Sequence, residues 1–248
     1  MLQSLVAPHC RKCQTGRVRL ALKWIVPFAA GASLFAGASC IAASTSAVAS
    51  PNTAARANER YLFNGKDLRG WHQVGPGSFV VEHGLMKTVG GMGLLCFTGE
   101  KFSNSTIRVI FKLSGKEPDS GVFIRIPEIP TDPWQAINTG YEIEIGEWPD
   151  EYGRTGVIYS FSKALAHATK PRGQWNTMNI SIQGAHTVVQ LNGVKVTDYR
   201  EGQSVPYRAQ DSGKPAAGPR PDSGYIGLQN HPGGAVYFRE ISVRPLSE

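Results

Sequence analysis

The chain has 248 residues, 41% of them hydrophobic and 18% charged, with a formal net charge of +7. That charge is unevenly spread: residues 1–49 hold five Lys/Arg and no Asp/Glu, so the remainder stands at only +2. With no Lys/Arg stripe and no interleaved aromatics, the residual charge argues against nucleic acid as a partner.

In chain order, residues 1–49 do not read as part of a fold. A basic region (Arg11, Lys12, Arg17, Arg19, Lys23) precedes an apolar and small-residue run over 24–43, and Ala47-Val48-Ala49 supplies an A-x-A cleavage pattern before Ser50-Pro51. This predicts a secretory signal peptide. The run approaches the roughly 20 residues of a membrane span, but its Ala, Gly and Ser make it weakly hydrophobic. Cleavage is therefore the preferred reading, giving a periplasmic or secreted protein with no membrane span. Lipid attachment at Cys40 is the second reading. Removing the segment takes Cys10, Cys13 and Cys40 and leaves Cys96 alone, so no internal disulfide is expected. Cys96, within Leu94-Leu95-Cys96-Phe97, reads as a buried small hydrophobe. Residues 50–58 form a short linker and 59–248 a single domain large enough to bury its own core.

From Glu59 onward the sequence is short apolar runs cut by turn signals. Tyr61-Leu62-Phe63 ends at Asn64-Gly65; residues 78–81 and 85–89 are split by His83-Gly84; residues 93–97 follow Gly90-Gly91. Residues 106–113 and 121–126 alternate, as do 141–145. Residues 155–160, 175–182, 187–191 and 194–196 are further strand candidates, with an Asn192-Gly193 hairpin signal. Residues 224–229 and 235–243 close the chain. No window sustains a helical period beyond two turns, and residues 162–169 come nearest. Residues 202–223 read as a long Pro/Gly/Ser-rich surface loop. Many short strands with abundant glycine predict an all-β fold, an antiparallel β-sandwich of jelly-roll type.

The most informative stretch is Tyr141-Glu142-Ile143-Glu144-Ile145-Gly146-Glu147-Trp148. Its period of two sends Tyr141, Ile143 and Ile145 into a core and Glu142 and Glu144 to the opposite face, their backbones roughly 6.5–7 Å apart. Two carboxylates side by side repel, so a face that keeps both has a use for them; a solvated sheet edge is the competing explanation. The same parity places Arg125 opposite Val122, Ile124 and Ile126, and Tyr225, Gln229 and His231 opposite Ile226 and Leu228. Were these faces to form one sheet, it would display Arg125, Glu142, Glu144, Tyr225, Gln229 and His231. Carboxyls for acid and base work, aromatic faces, and amide and guanidinium groups for hydroxyls are what carbohydrate chemistry needs. Arg125 reads equally well as an ion-pair partner of the glutamates, His231 as a loop residue, and Trp148 and Trp175 as packing. No G-x-S-x-G, P-loop or dinucleotide fingerprint occurs, and the six histidines lack zinc spacing, so no metal site is assigned. A calcium or similar cation at Glu142, Glu144 or Glu147 stays open.

Seven segments in order resemble the bacterial 3-keto-disaccharide hydrolase family across residues 60–246. They are Leu62-Phe63-Asn64-Gly65-Lys66-Asp67-Leu68-Arg69-Gly70-Trp71, Asp119-Ser120-Gly121-Val122-Phe123-Ile124-Arg125, Gly140-Tyr141-Glu142-Ile143-Glu144-Ile145, Thr155-Gly156-Val157-Ile158-Tyr159, Gly173-Gln174-Trp175-Asn176, Gly224-Tyr225-Ile226-Gly227-Leu228-Gln229-Asn230-His231 and Phe238-Arg239-Glu240-Ile241. The chain departs from the family pattern at Glu144, where Gln is usual, and at Asp119, where Asn is usual. The resemblance implies a concanavalin-like jelly roll that cleaves 3-keto-glycosides or 3-keto-disaccharides by C2 proton abstraction, elimination and water addition. It implies Glu142 or Glu144 as base, with Arg125 and His231 stabilising developing charge. Substrate contacts are expected from Glu147, Tyr159, Trp175, Tyr225 and Gln229, with a carbohydrate as partner and no cofactor. The run Glu142-Ile143-Glu144-Ile145-Gly146-Glu147 is also similar to the catalytic strand of laminarinase-type retaining glycosidases. That alternative is direct β-glucan hydrolysis with Glu142 as nucleophile and Glu147 as acid/base. A non-catalytic carbohydrate-binding module on the same fold is the third reading.

Overall fold

The computed structural model describes residues 58–203 and 219–246. The expected signal peptide, Cys40, nearly all of the 50–58 linker and most of the 202–223 loop lie outside the described residues. The strands, in chain order, are β1 (Arg60–Tyr61), β2 (Trp71–Val74), β3 (Ser78–Glu82), β4 (Leu85–Val89), β5 (Gly93–Phe102), β6 (Ser105–Leu113) and β7 (Ser120–Ile126). After a helix, α1 (Pro133–Thr139), come β8 (Tyr141–Ile145), β9 (Trp175–Gln183), β10 (His186–Leu191), β11 (Val194–Arg200), β12 (Gly224–Asn230) and β13 (Val236–Pro245).

Two antiparallel sheets form the predicted sandwich. One runs β11-β10-β9-β6-β13-β4-β3, with β1 also paired to β13; the other runs β2-β5-β12-β7-β8. Between them lies one core, to which the alternating strands contribute Ile107, Val109 and Phe111 from β6, Met178 and Ile180 from β9, and Phe238 and Ile241 from β13. Facing these are Val122 and Ile124 from β7, Ile143 and Ile145 from β8, and Ile226 and Leu228 from β12. Each such side chain contributes about 1.5–3 kcal/mol by leaving water. Cys96 is buried, and desolvation pushes its thiol up to about 12. It is an inert packing residue, as its sequence context suggests.

The five-stranded sheet is also covered on part of its outer face. Val74, Leu94, Cys96, Phe123, Ile126 and Ala136 make a second, smaller cluster there, beneath α1. The sequence reading did not find this helix. Its start is nonetheless signalled: Asp132 caps it, accepting from Trp134 N at 2.8 Å and Gln135 N at 3.2 Å, and Pro133 follows in the first turn. Seven residues are too few to show periodicity. Residues 162–169, which come nearest to a helical period, are irregular coil, and 155–160 form no strand beyond an isolated Ile143–Ile158 bridge. Conversely β2, absent from the predicted elements, pairs with β5. Among the described residues no helix is long and apolar enough to cross a membrane.

Candidate active site

The strand register brings the acidic residues together. On the outer face of the five-stranded sheet, Phe123 lies opposite Glu142 and Gly121 opposite Glu144. Gly227 lies opposite Phe123, and Gln229 is two residues further along β12. The start of β7, the end of β8 and the end of β12 therefore meet at one end of the sheet, bordered by the apolar cluster under α1 through Phe123. β8 is the last strand of its sheet, and residues 156–159 run along its free edge: Glu144 N donates to Val157 O, Gly156 N to Glu144 O, and Tyr159 N to Glu142 O, all within 3.0 Å. The carboxylates thus stand on a braced strand and not on an open edge.

Gly121 makes room for Glu142. A methyl at Gly121 would stand 2.2 Å from Glu142 Oε1 and 2.7 Å from its Cγ, so the glutamate lies folded over the glycine. Glu142 is 8% exposed and Glu144 3%. Glu142 Oε1 is buried and makes no hydrogen bond. Burial, and then the charge of Asp119, hold the Glu142 carboxyl well above the usual carboxylate range.

Asp119 itself is buried beside Ser120, whose hydroxyl donates to Gln229 O at 2.6 Å. Asp119 Oδ2 lies 3.0 Å from His231 Nδ1, which is also 3.2 Å from Pro232 O. A carbonyl can only accept, so Nδ1 carries a proton and Nε2 is the nitrogen left for a ligand. The Asp119 bond raises the His231 pKa against the opposing effect of partial burial. The turn after His231 is tied down by a Pro118–Gly234 bridge, so the imidazole is held and not merely a loop residue. Asp119 is the member of this group to which sequence reasoning assigned no role. Its departure from the family pattern, just before Ser120-Gly121, was the available signal.

The other expected residues divide. Gln229 is buried on the same face, and Tyr225 shares that face but packs with the α1 cluster, with Lys101 Nζ 5.4 Å from its ring centre. Tyr159 is half-buried beside Glu142 through its backbone. Glu147 is exposed at the rim, where Arg172 Nε donates to it at 2.6 Å. Trp175 is not brought here: it lies on β9 of the other sheet, under Lys112 and Arg239.

Arg125 is also elsewhere, and the reason is a β-bulge. The pairing of β12 with β7 jumps between Tyr225–Ile126 and Gly227–Phe123, and Arg125 has φ 59°. The extra residue reverses parity, so Ile126 joins the outer cluster and the Arg125 side chain, 2% exposed, turns away from the glutamates. It donates to Pro221 O at 2.9 Å and to Gly184 O, and lies 3.9 Å from Glu201. Gly184 is in the turn between β9 and β10, so Arg125 ties the two sheets together. Among the described residues no group of three or more His, Cys, Asp and Glu side chains is arranged as metal ligands.

Residues 58–244 match the family described as the 3-keto-alpha-glucoside-1,2-lyase-like domain. The chain belongs to this family. Among solved structures, two similar to the lyase-like domain are proteins of Parabacteroides distasonis ATCC 8503 proposed to be glycosyl hydrolases. One has a TM-score of 0.65 and 23% identity over 81% of this chain and 99% of its own. The other has a TM-score of 0.59 and 26% identity over 76% and 99%. No curated protein sequence matches the chain.

Proposed function

We propose that this lyase-like domain cleaves glycosides carrying a ketone at C3, with Glu142 as the base that removes the C2 proton. The observation that carries the reading is the buried, unpartnered Oε1 of Glu142 in a setting that raises its proton affinity. The ketone acidifies the C2–H bond. Its electrons pass into an enolate and then form the C1–C2 double bond as the C1–O bond breaks. The departing oxygen needs a proton, which His231 supplies from Nε2 while Asp119 balances the imidazolium. Water then adds across C1–C2, giving the free 3-keto sugar and completing a net hydrolysis. Gln229, buried on the same face, offers amide hydrogen bonds to sugar hydroxyls.

Family membership supports a carbohydrate-active protein, and the domain description supports elimination over direct displacement. The laminarinase-type alternative requires Glu147 as acid/base, and that carboxylate is exposed and engaged by Arg172. Arg125 has no part in the mechanism. We further propose export by cleavage of residues 1–49, which sequencing the N-terminus of the mature protein would test. For the chemistry, Glu142→Gln is expected to lower kcat on a 3-keto-glucoside by about 10²–10⁴-fold; unchanged turnover would exclude Glu142 as the base.

A further inference from the structure

Trp148 is an indole packed against two glycines and left 47% exposed. Its loop is closed by a Glu147–Arg154 bridge and by Thr155, whose hydroxyl donates to Gly146 O at 2.5 Å. Within the loop Gly153 N donates to Asp150 O at 3.0 Å, Tyr152 N to Asp150 Oδ1 at 3.1 Å, and Arg154 to Pro149 O at 3.1 Å. Two glycines seat the ring. A methyl at Gly153 would stand 3.0 Å from Trp148 Cβ and 3.3 Å from Cγ; one at Gly146 would stand 2.8 Å from Cδ1 and 3.0 Å from Nε1. The pyrrole edge is therefore turned to the strand end and the six-membered ring extends away. The same methyl at Gly146 would stand 2.7 Å from Glu144 Oε1, so the indole and that carboxylate both pack against Gly146 and lie next to each other.

A large apolar ring pre-ordered in water gains nothing for folding from the area it leaves exposed. A ring seated against backbone in this way loses less freedom when a ligand stacks on it, which is what a stacking platform requires. We propose that Trp148 is the platform on which the apolar C–H face of a sugar ring stacks, fixing that ring beside Glu144. The proposal rests on the carbohydrate reading above but not on the elimination step. It also identifies the ligand as a pyranoside with one face free of axial hydroxyls, since an axial hydroxyl would hold the ring off the indole.

The test is calorimetric binding of methyl 3-keto-glucoside and of its unoxidised parent to the purified protein, to Trp148→Ala and to Trp148→Phe. Binding is measured in the Glu142→Gln background to suppress turnover. Circular dichroism and melting curves check each fold. Trp148→Ala should raise the Kd for a bound glucoside about tenfold, with Trp148→Phe recovering most of the loss. In the catalytically intact protein the same change should appear in KM more than in kcat. An unchanged Kd in Trp148→Ala, or no binding of either glucoside to the parent protein, would overturn the platform. Failure of the elimination reading is a separate result: the intact protein would cleave the unoxidised glucoside, or neither compound, while the Trp148 variants shifted Kd as stated.

Discussion

At the residue scale, the account turns on two groups whose proton affinities are both raised. Glu142 binds its proton more tightly folded than unfolded. Its contribution to stability is therefore complete at acid pH, and is lost as pH rises from about 4.5 through the raised folded value. His231, held by Asp119, contributes stability that is complete below about 6.5 and lost as pH rises through its raised value. Both push stability down with rising pH. Melting temperatures measured from pH 4 to 8 should fall less steeply in Glu142→Gln than in the parent; parallel curves would contradict the raised Glu142 value. Activity has the opposite dependence on the acid side, because the base must be ionised, and the same dependence on the alkaline side, because the imidazolium must be protonated. A bell-shaped profile is expected, with Asp119→Asn moving both limbs to lower pH, since the same carboxylate raises His231 and Glu142. Nuclear magnetic resonance titration of the His231 ring in that variant would show directly whether Asp119 sets its value.

At the element scale, β7 decides what is and is not in the site. Gly224 lets the Arg125 backbone bulge inward: a methyl there would stand 2.3 Å from Arg125 C and 2.4 Å from its Cα. Backbone cannot yield as a side chain can, so Gly224→Ala should cost about 3 kcal/mol or more in denaturant unfolding. Gly121→Ala meets side-chain atoms of Glu142 first, which can move where backbone cannot, so it should cost less stability than Gly224→Ala while displacing the proposed base and lowering activity. Arg125→Met removes a buried cation from its acceptors and should cost about 3–5 kcal/mol, leaving Glu201 without that partner. The folded fraction should keep its kcat. A kcat loss equal to that of Glu142→Gln would return Arg125 to the site. The alternation of Glu142 and Glu144 was legible because β8 is regular, and Gln229 because β12 is regular beyond Gly227. Arg125 was not legible, because one inserted residue reverses every face after it and a bulge has no reliable mark in a single sequence. Trp175 lies on the other sheet, as its packing reading allows; neither a resemblance nor periodicity tells which sheet a strand joins.

At the scale of the whole molecule, strand number, turn spacing and the absence of long helical periodicity are repeated signals, so the sandwich and its single core followed from the sequence. The local exceptions did not. A seven-residue helix, the two-residue β1 and the strandless 155–160 segment are set by what they pack against. That segment covers the edge of β8, and its apolar residues Val157 and Ile158 are buried by the fold without being paired as a strand. The candidate site lies at one end of the five-stranded sheet, while α1 covers another part of that face and Arg125 joins the sheets through Gly184. The proposed chemistry falls to Glu142, Asp119 and His231 and the sheet-to-sheet bracing to Arg125, which is why their variants should separate activity from stability.

The most direct measurement is turnover of a 3-keto-glucoside beside its unoxidised parent by the purified protein. The account predicts cleavage of the keto compound alone, with a 3-keto-2-hydroxy-glycal intermediate detectable before water adds. Cleavage of the unoxidised parent at a comparable rate would contradict it and move the protein to direct glycoside hydrolysis; binding of both without cleavage would contradict it in favour of a carbohydrate-binding module.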